Sequence, residues 1–186
     1  MTMSPMAEHL DLLIAERRLR TRTATLARQI DADYRDRPLS LVVVLKGAAI
    51  FAADLTRRIT IPLTLDFISA ASYGAGTESS GKVALGGTAA LPIAGRHVLV
   101  IEDIIDSGCT AAAIFADLQE RQPASLALCT LLRKPSAPPA GTPPLPIAYV
   151  GFDIANDFVV GWGMDYAERY RNLRGIYRLS FRQFAG

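Results

Sequence analysis

Continuous apolar runs, separated by polar stretches rich in glycine or proline, set the rhythm of this chain. Leu41 to Gly47 (LVVVLKG), Arg96 to Ile101 and Ser125 to Leu132 lack the alternation of a half-exposed strand and are too short for a helix of the core. They predict buried parallel strands. Leu63 to Ser69, Val83 to Leu91 and the final Ile176 to Phe181 predict further strands, with Pro92 and Gly95 marking turns. A different period follows two of the runs. Phe51, Leu55 and Ile59 recur every four residues, and Ala111, Ile114, Phe115 and Leu118 fall at i, i+3, i+4 and i+7, each the face of a helix. From Ala7 to Tyr34 the pattern also predicts helix, with Leu10, Leu13 and Ile14 in one stripe and Leu26 with Ile30 in another. Arg17, Arg18, Arg20 and Arg22 are then expected on its solvated face. The fold class implied is α/β.

Composition narrows this only slightly. A chain of 186 residues, half hydrophobic and one fifth charged, is expected to form one domain, 1–186. A net charge of +2 makes no case for nucleic-acid binding. No segment is long and apolar enough to span a membrane, and MTMSPMAEHL lacks the order of a signal peptide. Cys109 and Cys129 have no metal-ligand spacing and read as reduced thiols in a cytoplasmic protein. His9 and His97 have no partner for metal or nucleophile chemistry and are expected in structural or surface roles. Six of the eleven prolines fall between Pro135 and Pro146, in what reads as a surface loop within the domain.

Candidate chemistry concentrates in VLVIEDIIDSGCT, Val98 to Thr110. Glu102 and Asp103 stand where the strand should end, where open α/β sheets bind ligands. They suit either Mg²⁺, a hard cation that prefers oxygen, or the hydroxyls of a ribose. Asp106-Ser107-Gly108-Cys109-Thr110 then leads into a helix, and a small-residue loop at a helix N-terminus aims backbone N–H groups and the positive dipole end at one place, as phosphate requires. A loose acidic pair is more often a solvated strand end before a Ser-capped helix. The apolar strand, three acids and the phosphate-type loop together favour a site.

VLVIEDIIDSGCT resembles the phosphoribosyl pyrophosphate motif of the type I phosphoribosyltransferases, in the EDIIDSG form of the hypoxanthine-guanine phosphoribosyltransferases. Four further segments match that family in order. Lys46-Gly47 matches the pyrophosphate loop, which contributes mainly backbone N–H groups and can adopt an unusual peptide geometry. Ser72-Tyr73 opens the polar stretch to Gly81 and matches the flexible loop that closes over the reaction centre, excluding water from an oxocarbenium-like transition state. Lys134 matches the lysine that donates to the exocyclic oxygen at purine position 6. FVVGWGMDY, within Val150 to Tyr177, matches the C-terminal hood, with Trp162 where tyrosine is common.

The resemblance implies a mostly parallel sheet flanked by helices, with a small hood from both chain ends. It implies transfer of a phosphoribosyl group to N9 of hypoxanthine or guanine, with Mg²⁺ as cofactor. Asp106 is then the general acid/base near purine N7, and Asp106, Ser107, Gly108, Cys109 and Thr110 hold the 5′-phosphate. Glu102 and Asp103 hold the ribose hydroxyls and a Mg²⁺. Phe158 stacks on the base, Val159 meets its edge through backbone groups, Asp165 helps bind a Mg²⁺, and Arg171 contacts pyrophosphate with a planar fork suited to paired phosphate oxygens. A homodimer or homotetramer fits the family. Two alternatives stay open: a non-catalytic regulator of this fold that senses phosphoribosyl pyrophosphate and binds nucleic acid, and a xanthine-preferring phosphoribosyltransferase.

Overall fold

In a computed structural model, residues 6–72, 83–86 and 92–183 are described. Their elements, in chain order, are β1 (Met6–Ile14), α1 (Glu16–Asp33), β2 (Leu39–Leu45), α2 (Ala49–Thr56), β3 (Leu63–Ser72), β4 (Val83–Gly86), β5 (His97–Ile105), α3 (Cys109–Glu120), β6 (Ser125–Arg133), β7 (Ile147–Asp153), β8 (Val159–Val160) and β9 (Ile176–Gln183). No helix among the described residues is long and apolar enough to cross a membrane.

Six strands form one sheet in the order β4-β3-β2-β5-β6-β7, parallel except where β4 pairs antiparallel with the end of β3. The unalternating runs are explained by cover on both faces. Leu41, Val43, Leu99 and Ile101 pack with Leu19, Leu26, Ile30, Phe51 and Leu55 of α1 and α2. Val42, Val44, Val98 and Val100 pack on the other face with Ile114 and Leu118 of α3. Successive residues of a strand point to opposite faces, so a strand covered twice must be apolar throughout.

The chain ends form a second sheet, β1-β9-β8. Here the expectation of helix from Ala7 is corrected. Met6 to Ile14 is a strand pairing antiparallel with β9, from Met6↔Gln183 to Ile14↔Ile176, and the helix starts at Glu16. Leu10, Leu12 and Ile14 fit period two as well as Leu10, Leu13 and Ile14 fit a helix. A partner strand some 160 residues away decides between them, because a strand takes its hydrogen bonds from a neighbour and not from within.

The arginine face of α1 is only partly solvated. Arg22 donates to the carbonyls of Val150 and Gly151 at 2.6 and 2.9 Å, tying the helix to β7. Arg20 bonds Glu16 at 2.8 Å and lies 5.6 Å from the Trp162 ring centroid. His97 bonds Ser125 at 2.7 Å and meets Tyr34 edge-on, and His9 bonds Asp11 at 3.0 Å. Both cysteines are free, and burial pushes the Cys129 thiol up to about 12.

Candidate active site

The carboxyl ends of β2, β5 and β6 deliver the candidate residues to one edge of the large sheet. β5 runs on through the acidic pair to Ile105, so Glu102 and Asp103 lie within the strand and not beyond its end. Glu102 is buried opposite Thr130 of β6, and among the described residues its Oε2 has no hydrogen-bond donor. Burial, then the charge of Asp103, pushes the Glu102 carboxyl well above its ordinary value. Burial also pushes Asp103 up to about 6, with the Asp165 charge adding to the rise and the Arg171 guanidinium opposing it.

Asp103 faces the Lys46-Gly47 turn. A Cβ on Gly47 would stand 1.8 Å from Asp103 Oδ2, so only glycine leaves that carboxylate room. The Leu45–Lys46 peptide is cis. From the other side Gly163, at φ 109°, backs directly on this turn. A Cβ there would meet the Gly47 carbonyl oxygen at 2.1 Å. The pyrophosphate-type loop and the hood motif therefore touch backbone to backbone, through two glycines that the FVVGWGMDY and LKG segments supply.

After β5 the loop Asp106-Ser107 turns through Gly108 into α3, whose first residues are Cys109 and Thr110. Among the described residues the helix is capped by Gly108 in a left-handed conformation and by no side chain, unlike the Ser-capped helix of the alternative reading. Its first-turn N–H groups are thus left for an anion. Lys134, at the end of β6, donates to Asp106 Oδ2 at 2.9 Å, and Ser136 donates to Asp106 Oδ1. The Ser136 bond, then the Lys134 bond, holds the Asp106 carboxyl below its ordinary value. Lys134 keeps only 12% of its side chain exposed against 51% for Asp106, so the lysine's position is fixed by packing. Pro138, Pro144 and Leu145 of the proline-rich loop line a small cavity with Asp106, Ser107 and Gly108.

A cavity of about 230 Å³ joins the two halves, lined by Asp103, Ile104, Lys134, Phe158, Val159, Met164 and Asp165. Phe158 is 52% exposed and meets Tyr166 edge-on at 5.8 Å, leaving its ring available as a shelf. Val159 is buried in β8. Arg171 bonds Asp165 at 2.8 Å and the Gly163 carbonyl at 2.8 Å. Lys46, by contrast, points to Glu168 at 3.1 Å.

No cluster of three or more metal-ligating side chains is found among the described residues. A Mg²⁺ site is still compatible with this chain: Asp103 and Asp165 line one cavity, a Glu102 oxygen lacks a donor, and Mg²⁺ commonly takes one or two carboxylates with waters and substrate phosphates. Of the expected lid pair, Ser72 ends β3 and Tyr73 lies outside the described residues.

Three contributors escaped the sequence reading. Ser136 and Glu168 are polar residues in aperiodic loops, and only their contacts distinguish them. Met164 lies within FVVGWGMDY but carries no polar signal.

This geometry, with a glycine-capped loop entering a helix, a strand carboxylate facing a glycine turn and an aromatic shelf beside a mostly covered lysine, is that of a phosphoribosyltransferase. Residues 13–169 match the model of the phosphoribosyl transferase domain, and the chain belongs to that family. It is 46% identical over 179 residues to the hypoxanthine-guanine phosphoribosyltransferase of Mycobacterium avium, covering 93% of this chain and 87% of that one. It is 42% identical over 168 residues to the hypoxanthine phosphoribosyltransferase of Haemophilus influenzae, covering 89% and 92%. A crystal structure of a hypoxanthine-guanine phosphoribosyltransferase from Bacillus anthracis, with HEPES in its active site, superposes with a TM-score of 0.85 at 40% identity, covering 94% of this chain and 99% of that one.

Proposed function

We propose that this chain is a purine salvage enzyme that transfers the phosphoribosyl group of phosphoribosyl pyrophosphate to N9 of hypoxanthine or guanine, giving IMP or GMP and releasing pyrophosphate. The observation that carries the reading is the Lys134–Asp106 pair at 2.9 Å, between the helix-borne loop and the Phe158 shelf. A lysine ammonium rewards a 6-oxo acceptor and opposes a 6-amino donor. The carboxylate beside it is within reach of a proton leaving the imidazole edge of a base held against that lysine.

Each residue has a role in this reading. The backbone N–H groups from Ser107 to Thr110 hold the 5′-phosphate at the start of α3, and Asp103 with Glu102 faces the ribose hydroxyls. The Lys46-Gly47 turn and Arg171 receive the pyrophosphate. Phe158 stacks on the purine, and Val159 meets its edge with backbone groups. Asp106 takes the proton at N7 as the N9–C1′ bond forms and the bond from C1′ to pyrophosphate breaks. Asp103 and Asp165, with Glu102, would hold Mg²⁺, which when bound neutralises charge developing on the leaving pyrophosphate. The working protein is a cytoplasmic homodimer or homotetramer, with residues 1–186 forming one domain and its hood.

The direct test is pyrophosphate release in the presence of Mg²⁺ and phosphoribosyl pyrophosphate, with hypoxanthine, guanine, xanthine and adenine offered separately. Turnover with hypoxanthine or guanine and none with adenine is expected. Turnover with adenine alone, or with no base at all, would refute the reading.

A further inference from the structure

On the pyrophosphate side of the site, the chain's cations are occupied by one of its own carboxylates. Glu168 Oε1 accepts from Lys46 Nζ at 3.1 Å, and its Oε2 accepts from Arg171 Nη2 at 3.2 Å. Lys46 and Arg171 come from opposite sides of the site, one after β2 and the other after β8. Among the described residues, no other carboxylate forms an ion pair with both.

The backbone makes this contact specific. Ala167, Glu168 and Tyr170 all have left-handed φ values, 51°, 60° and 76°, which residues with a Cβ adopt only when the surroundings hold them there. The holding contacts are visible. Glu168 N donates to Asp165 Oδ2 at 2.9 Å, and Glu8 of β1 accepts from both Arg169 and Tyr170. The turn therefore presents the Glu168 carboxylate to the two cations from a fixed base. The side chain itself is 66% exposed, and exposed ion pairs are weak and exchange readily with solvent or another anion. The contact is positioned yet displaceable.

Resting on the function proposed above, in which the Lys46-Gly47 turn and Arg171 receive pyrophosphate, we infer that Glu168 is a displaceable stand-in for that anion. Its two oxygens bridge the two cations as a pair of pyrophosphate oxygens would. Binding of phosphoribosyl pyrophosphate swings it aside, and its return after transfer favours release of pyrophosphate. The competing role, a scaffold that preorganises Lys46 and Arg171 for the ligand, predicts the opposite sign. Removing the charge of a scaffold weakens pyrophosphate binding, and removing the charge of a competitor strengthens it.

The experiment is calorimetric titration of inorganic pyrophosphate with Mg²⁺ into the full chain, as wild type, Glu168→Gln and Glu168→Ala, with thermal unfolding as a check on folding. Two exposed ion pairs amount to roughly three- to tenfold in affinity, so both variants should bind pyrophosphate tighter by that factor. Equal or weaker binding by the variants overturns the inference while leaving the proposed function intact. Absence of binding to the wild type overturns the pyrophosphate assignment and the inference together.

Discussion

From Val98 to Thr110 the functional groups ride on a strand buried near the middle of a six-stranded sheet and on the helix that follows it. From Phe158 to Arg171 they ride on a two-residue strand and a string of left-handed turns, tied down by Arg171–Asp165, Glu168–Lys46 and the bonds of Arg169 and Tyr170 to Glu8. The first region fixes position through packing, which water and salt barely touch. The second is packed into the core through Val159, Trp162 and Met164, but from Asp165 onward it is held by ion pairs and hydrogen bonds, of which the exposed ones are weak and replaceable by a ligand. In our reading the chemistry belongs to the more rigid first region and the grip on base and pyrophosphate to the second. Lys134 joins them, a lysine whose side chain is only 12% exposed and whose ammonium donates to the Asp106 carboxylate.

The largest effect should come from the rigid side. Asp106→Asn keeps the shape but cannot take a proton, and general base catalysis is worth about 10²- to 10⁴-fold. Steady-state kinetics should show kcat falling by at least the lower figure. Undiminished turnover would remove Asp106 from the chemistry.

Gly163→Ala tests the backbone contact between the regions. The new Cβ meets the Gly47 carbonyl at 2.1 Å from a left-handed backbone, and neither backbone can yield cheaply. A loss of about 2–3 kcal/mol is expected, seen as a Tm lowered by roughly 5–10 °C for a domain of this size. An unchanged melting curve would mean that the two loops are not in contact.

Lys134→Met removes the donor that rewards a 6-oxo group while keeping an apolar stem. The ratio of kcat/KM for hypoxanthine over adenine should fall by about tenfold or more, because a polar site rejects the wrong group mainly by leaving its own donor unpaired. An unchanged ratio would reject the assignment.

The smallest effect is electrostatic. Ser136 and Lys134 depress the Asp106 carboxyl in the folded chain. The resulting stability is present at neutral pH and lost as pH falls below about 4, through the depressed value. Half-exposed as it is, the pair should contribute under ~1 kcal/mol. Ser136→Ala should flatten that acid-side loss in denaturant titrations, and an identical pH profile would show that the bond is not made in solution.

How far the sequence carried each region follows from the same contrast. Strands β2, β5 and β6 and helix α3 were legible because their apolar pattern is local and doubly covered, and the phosphate-type loop was legible because its residue types imply its backbone. β1 was not. Its nine residues carry a weak pattern compatible with two periods, and its strand state depends on β9 at the other end of the chain. Arg22 looked like one more solvated cation because nothing local reveals that two carbonyls of β7 lie in its reach. Glu168 and Ser136 were invisible for the same reason, since their partners are set by tertiary placement. Within the candidate site, residues whose types suggest chemistry could be singled out from the sequence, and those distinguished only by their tertiary contacts could not.

The most direct test of the division of labour is the equilibrium affinity for IMP, measured side by side for the wild type, Asp106→Asn and Phe158→Ala. Loss of an aromatic stack costs about 1–3 kcal/mol per base, so Phe158→Ala should bind IMP roughly ten- to hundredfold more weakly, while Asp106→Asn binds nearly as the wild type does. A large loss of affinity in Asp106→Asn with none in Phe158→Ala would contradict the account.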